Sequence, residues 1–368
     1  MPAKVYFADF RARSFGENKV SKLKKLFEKA GLSSVLAKGD LTAVKMHFGE
    51  VGNDTFLSPV LVRAVVDKIR ETGAKPFLTD TGTLYTGKRK NAADHINTAI
   101  SHGFAYSVVN APVIIADGLK GDSVVSVEIN KKRFSKVKIA RDIVNADSMI
   151  VLSHVKGHEL AGFGGAIKNL AMGCAPPMGK KEQHSARFFV NEEKCIACGE
   201  CEKNCPTGAA QLSSDFSTID KDRCIGCGEC VTVCPEKAID MDWATDIAEF
   251  MERMTEYALG AVIGKPGKVA YVNFIMNVTP DCDCIPWSDA PIVPDVGVLA
   301  SFDPVAIDKA SWDLVNQQQG NAHSHIRKNL DPGGDKFTGL WSYTKPGIAI
   351  THGAEIGLGS PEYELVKI

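Results

Sequence analysis

Up to about residue 185, short β-branched runs alternate with amphipathic stretches, which is how a succession of βαβ units reads. Residues 5–7 read as a first strand. Ser21 is placed to cap a helix that carries Leu23, Leu26, Phe27 and Ala30 on one face and stops at Gly31. A strand over residues 43–47 is followed by Ser58 and Pro59, an N-cap and first-turn proline for a helix running to Gly73. Residues 77–80 read as strand, 92–102 as helix and 113–116 as strand. Residues 124–129 and 137–139 suit an antiparallel pair, and 148–153 a buried strand.

Beyond residue 243, apolar positions at Ile247, Met251, Met254 and Ala258 predict a helix over 244–259 that ends at Gly260. Residues 268–277 read as strand, Asp303-Pro304 as the start of a helix through Leu314, and 347–351 as a late strand. The fold class expected is an α/β body, a mostly parallel sheet with flanking helices, interrupted by a small α+β unit. The boundaries are 1–187 and 242–368 for the two parts of the body and 188–241 for the insert. Two separate α/β domains are the other arrangement this pattern allows.

Composition narrows the function. At 368 residues, 44% hydrophobic and 24% charged, the chain has enough apolar material for a sizeable core. Its net charge of −1 gives no basic field for nucleic acid or an anionic membrane surface. The first residues carry Lys4, Asp9 and Arg11 rather than an apolar leader, and no window approaches the ~20 apolar residues of a membrane helix. A cytoplasmic protein is the expectation. Residues 186–241 hold six Lys/Arg and ten Asp/Glu, so the insert is the acidic part. Eleven cysteines in such a chain point to metal ligands more than to disulfides.

Eight of those cysteines form two runs: Cys195, Cys198, Cys201 and Cys205 before Pro206, then Cys224, Cys227, Cys230 and Cys234 before Pro235. Three closely spaced thiolates wrap one corner of an iron–sulfur cube, while the fourth of each run reaches the other cube. The predicted ligand sets are therefore Cys195, Cys198, Cys201 and Cys234 for one [4Fe–4S] cluster, and Cys224, Cys227, Cys230 and Cys205 for a second. Zinc ribbons also use CxxC pairs, but have no need of the third and fourth cysteines with a following proline. The stretch resembles a bacterial-type two-cluster ferredoxin domain, which implies one-electron transfer at low potential. Its acidic surface suits a redox partner protein with a basic docking face, or serves solubility alone.

Three further stretches stand out. His154 and His158 lead into Gly162-Phe-Gly-Gly-Ala-Ile-Lys168-Asn169-Leu170-Ala-Met-Gly173-Cys174; Asp281-Cys282-Asp283-Cys284 follows later; and Pro294-Asp295-Val-Gly297 precedes Ser301-Phe-Asp303-Pro304-Val-Ala-Ile-Asp308. With Lys45-Met-His47 and Thr79-Asp80-Thr81, they resemble the domain-of-unknown-function 362 family over almost the whole chain. That resemblance implies a cytoplasmic iron–sulfur protein of anaerobes and no particular substrate.

Read physically, Gly162 to Gly173 puts backbone NH groups and Lys168 where an anion can bind, or forms a tight loop whose glycines allow close packing. It matches neither a Walker A nor a dinucleotide fingerprint. His154 and His158 follow a strand, as do His47 and Asp80, and are candidates for metal ligation or proton transfer. Cys282 and Cys284 would point apart in an extended chain, making a direct disulfide strained; in a turn they can chelate one soft metal, and as buried thiols they would be inert. Cys174 reads as a packing residue.

The function expected is low-potential electron transfer through two [4Fe–4S] clusters to a small-molecule site in the body, an oxidoreductase with His154, His158 and Lys168 as its catalytic groups and a small anionic substrate. The alternative is a shuttle or redox sensor that only docks a partner, or a non-redox enzyme with structural clusters. A flavin or a further metal at Cys282 and Cys284 is left open.

Overall fold

A computed structural model describes residues 2–85, 87–184, 188–224, 229–241 and 247–368. Its main sheet has eight strands: β1 (Ala3–Asp9), β2 (Leu41–Lys45), β3 (Lys75–Asp80), β4 (Val113–Ile115), β5 (Ser148–His154), β6 (Val269–Ile275), β7 (Gly297–Ser301) and β8 (Tyr363–Lys367). They lie in the order β8-β1-β7-β6-β5-β2-β3-β4. Only β7 runs antiparallel to its neighbours, Val298 pairing with Ala8 on one side and Phe274 on the other. Every residue of β6 and all of β5 before His154 are buried, as helices on both faces of a parallel sheet require.

The helices used below are α1 (Lys19–Lys29), α2 (Pro59–Glu71), α3 (Ala166–Cys174), α4 (Ile247–Val262), α5 (Pro304–Asn316) and α6 (Gly347–Glu355). One face of the sheet packs on α1 and α2 through residues such as Val44, Ile150 and Val272 with Leu26 and Val65. The other packs on α3 to α6 through Ala43, Val151 and Tyr271 with Leu170, Met254 and Ile307. Alternate residues of one strand thus feed two separate cores.

Several local expectations change. The cap of α1 is Asn18, whose side chain accepts the Ser21 NH, so Ser21 lies inside the first turn. Ser58 stands at the N-cap of α2 without making a side-chain cap bond. Helix α4 continues through Gly260 to Val262; a Cβ on Gly260 would lie 2.2 Å from Val137, so that glycine serves close packing against the hairpin Val124–Glu128 with Lys136–Ala140. Residues 347–351, expected as a strand, begin α6. Ala349, Ile350 and Gly353 are buried at helical spacing against α4 and α5, and that packing overrides the β-branched pattern. The late strand is β8 instead, beside β1.

Residues Phe188–Met241 leave the body and return. Their first and last strands pair, Phe188 with Met241 and Val190 with Ile239, which brings the ends of the excursion together. A second pair joins Ala210 to Ile219, and Phe188, Cys201, Ala210, Cys230 and Ile239 form a small core of their own.

Candidate functional site

From β2 the chain steps outward to β3 and β4, and then crosses to the other side of β2 to lay down β5 and β6. Loops leaving the carboxyl ends of β2 and β5 therefore diverge, which opens the crevice where α/β sheets collect ligands. The side chains brought there are mostly ionisable and buried. Lys45 Nζ sits 3.0 Å from Asp80 Oδ1 and donates to Asn169 Oδ1 at 2.7 Å. Arg89 pairs with Glu50 at 3.1 Å, lies 2.8 Å from His47 Nε2 and 3.8 Å from Asp80. Burial opposes the charge on Asp80, but Lys45, His47, His95 and Arg89 hold its carboxyl well below the usual carboxylate range. His95 is fully buried 3.9 Å from Asp80 with neither ring nitrogen hydrogen-bonded, and burial pushes it down to about 3.

A second group lies beyond β5 and β6. Asp283 projects inward between the two cysteines of its loop and meets His154 Nδ1 at 2.9 Å and Lys156 Nζ at 2.8 Å. Burial works against ionising it; Lys156 and His154 outweigh that and keep its carboxyl far below the normal value. His154 Nε2 donates to the Met276 carbonyl at 2.6 Å, so both nitrogens of that ring are engaged in holding the loop. Lys156 also donates to Thr55 at 2.7 Å, and Glu50 NH donates to the Asp283 carbonyl. The loop after β6 is thereby tied to the loop after β2.

With Asp283 turned inward, Cys282 and Cys284 turn the other way, and their sulfurs are bonded to each other. The extended chain that argued against a direct link is absent: residues 283–284 form a turn. A ring nitrogen of His158 and both sulfurs lie within 4.8 Å of one another. His158 Nδ1 accepts the Leu160 and Ala161 NH groups, both at 3.1 Å, and burial first and Lys168 second keep the ring neutral. Burial draws Lys168 down to about 8, with Glu159 its strongest electrostatic partner. The structure thus gathers His158, Lys168, Cys282 and Cys284, and gives His154 to anchoring.

The glycine-rich stretch has a different role from anion capture. The Ala166 and Ile167 NH groups at the start of α3 donate to the two carboxylate oxygens of Asp308, at 2.6 and 2.9 Å. A Cβ on Gly165 would lie 2.3 Å from that carboxylate. The anion is part of the chain itself. Asp303 similarly caps α5 through the Val305 and Ala306 NH groups. Cys174 is fully buried, and burial raises its thiol to about 11, as befits a packing residue.

In the excursion, Cys195, Cys198, Cys201 and Cys234 line a single cavity of about 320 Å³, its open mouth included, with Ser217, Ala238 and Ile239. NH groups point at these sulfurs: Ser217 to Cys195 at 3.4 Å and Ala238 to Cys234 at 3.2 Å. Cys205 accepts the Ala209 and Ala210 NH groups at 3.1 and 3.3 Å. Cys224 and Cys230 belong with it in sequence, and Cys227 lies outside the described residues. Tyr343 stands between the two regions: burial, then Glu159 and Asp281 of the crevice and Asp240 of the excursion, push its hydroxyl up to about 12.

Glu50, Arg89, His95 and Lys156 escaped the sequence reading. Arg89 sits in a Gly-Lys-Arg-Lys run that looks solvated, and His95 on an ordinary amphipathic helix. Lys156 carried a faint signal, since it alternates with His154 and His158.

No curated protein matched this chain. Among solved structures, the lactate racemase apoprotein from Thermoanaerobacterium thermosaccharolyticum aligns at 12% identity and a TM-score of 0.34, over 69% of this chain and 49% of that one. A structural-genomics target protein from Thermotoga maritima aligns at 11% identity and 0.36, over 78% and 57%. The chain spans about half the length of those two structures. Among the described residues no helix is long and apolar enough to cross a membrane. The model of a domain of unknown function, DUF362, matches residues 42–313, and with nearly three quarters of its length inside that match the chain belongs to the DUF362 family.

Proposed function

We propose that this protein is an iron–sulfur electron-transfer protein whose excursion is a two-[4Fe–4S] ferredoxin-like insert serving an oxidoreductase site in the α/β body. The observation that carries the reading is the return of Cys234 to the cavity of Cys195, Cys198 and Cys201, the crossed set that a two-cluster domain requires. The donor chemistry fits: sulfur ligands clustered on one wall, with NH groups directed at Cys195, Cys205 and Cys234 to stabilise the negative charge of thiolates. When bound, such clusters supply single electrons at low potential.

The chain's own residues set the rest. Ile196, 61% exposed beside Cys195, offers an apolar contact on an acidic unit, a surface suited to a basic redox partner. In the body, the crowd of buried ionisable groups at the switch point is of the kind that enzymes use to tune proton transfer. Its inner members pair with one another and hold the loops, while Lys168, drawn down to about 8 by burial, remains suited to binding a small anion or moving a proton.

Protein purified without oxygen is expected to contain about eight iron and eight inorganic sulfide per chain. Four iron, or zinc in stoichiometric amount, would overturn the reading.

A further inference from the structure

We propose that Cys282 and Cys284 form a reversible dithiol–disulfide centre that exchanges with an external dithiol, Cys284 being the sulfur attacked. This goes beyond the cluster reading and does not depend on it.

Two thiols and an imidazole within 4.8 Å also resemble a metal site. The ring decides against that. A histidine that ligates through one nitrogen carries its proton on the other, usually donated to an oxygen. His158 Nδ1 instead accepts two backbone NH groups, so its proton resides on Nε2 and no lone pair is left for a metal. What His158 offers the sulfurs is a neutral, polar ring.

The turn is held independently of the sulfur–sulfur bond. Asp283 is clamped by His154 and Lys156, its carbonyl accepts the Glu50 NH, and Asn53 donates to the Trp287 carbonyl two residues after Ile285. Opening the bond therefore leaves the two thiols where they can close again, the condition for reversibility. The sulfurs also differ in access: Cys282 is buried at 8% exposure, while Cys284 is only partly buried.

The exchange balances. A thiolate of the donor attacks Cys284 Sγ, the Cys282–Cys284 bond breaks, and Cys282 leaves as a thiolate. The donor's second thiol then attacks its own sulfur in the mixed disulfide and releases Cys284. The donor ends as a disulfide, two electrons have passed to this chain, and the two protons lost by the donor reside on Cys282 and Cys284.

Tryptic cleavage after Lys268 and Lys309 yields a peptide whose cysteines are Cys282 and Cys284 alone. The full chain, kept anaerobic, is poised in mixtures of reduced and oxidised dithiothreitol, alkylated and digested. The peptide is expected to move between a bonded and a doubly alkylated form in one two-electron transition, and to return when the poise is reversed. A peptide locked in one form at every poise would overturn the proposal, as would a non-iron metal bound one per chain and lost in Cys282→Ser. With oxidised glutathione, Cys282→Ser should capture one glutathione at Cys284 at least tenfold faster than Cys284→Ser captures it at Cys282. Equal capture removes the assignment of Cys284. Iron content is read separately, so failure of the cluster reading leaves this result intact.

Discussion

The excursion and the crevice use polar atoms in opposite ways. In the excursion, four cysteine sulfurs converge on one cavity, and backbone NH groups directed at Cys195 and Cys234 can stabilise charge on sulfur without neutralising it. In the crevice, acids and bases meet directly: Lys45 with Asp80, Arg89 with Glu50, Lys156 and His154 with Asp283. The first arrangement suits a ligand that brings its own cations. The second fixes loops, because a buried charge lacking its partner costs several kcal/mol and so locks both partners in place. One region gathers sulfurs on a short stretch of chain, and the other pairs acids with bases from distant segments.

The strongest way to break the contrast is through the crossed cysteines. Cys201→Ala is expected to remove the cluster shared with Cys234, and Cys205→Ala the other, each lowering iron from about eight to about four per chain. Spectra of the two variants should report different remaining centres. Identical residual spectra would show that each run holds its own cluster.

Excision comes next. Because Phe188 pairs with Met241 and the excursion has its own core, joining residues 187 and 242 through a short Gly/Ser linker should give an iron-free body that unfolds in a single cooperative transition. A product binding hydrophobic dye and lacking a transition by calorimetry would show that the two regions fold as one.

Within the crevice, Asp283→Asn keeps the shape of the side chain and leaves Lys156 and His154 without their anion. Denaturant unfolding should show a loss of about 3 kcal/mol, with iron content unchanged. A loss under about 0.5 kcal/mol would place the pair among the weak, solvent-screened ones.

The smallest effect is on pH. Asp80 and Asp283 have folded values depressed from 3.8, so their contribution is complete above that value and is lost as pH falls through the depressed range. In the excised body, Asp283→Asn should flatten the fall in stability below about pH 4. An unchanged acid limb would assign that fall to other carboxylates.

The cysteine runs were legible because their spacing is local: the cysteines recur three and four positions apart, a pattern that shows whatever the surrounding fold. Strands β2, β3, β5 and β6 were legible for a similar reason, since burial on both faces leaves a continuous apolar run. Asp308 was not. Its motif lies far along the chain from Ala166, and only the packing of α5 against α3 shows that the anion for that glycine-rich turn is internal. Residues 347–351 were misread because β-branched side chains suit both a strand and one face of a helix, and the neighbours α4 and α5 chose the helix.

Sequence alone therefore determined the two spaced cysteine runs, the alternation of strands and helices, and the presence of thiols and histidines in the loops after strands. Tertiary structure decided which of those loops meet. The crossing from β4 back to β5 puts residues of four separate segments at one crevice. The alternation of side chains along residues 282–284 then sends Asp283 to the Lys156 ammonium and the two sulfurs to His158. Spacing along the chain carries no record of such encounters, because they are fixed by strand order and by the burial of charge, which act between segments more than a hundred residues apart.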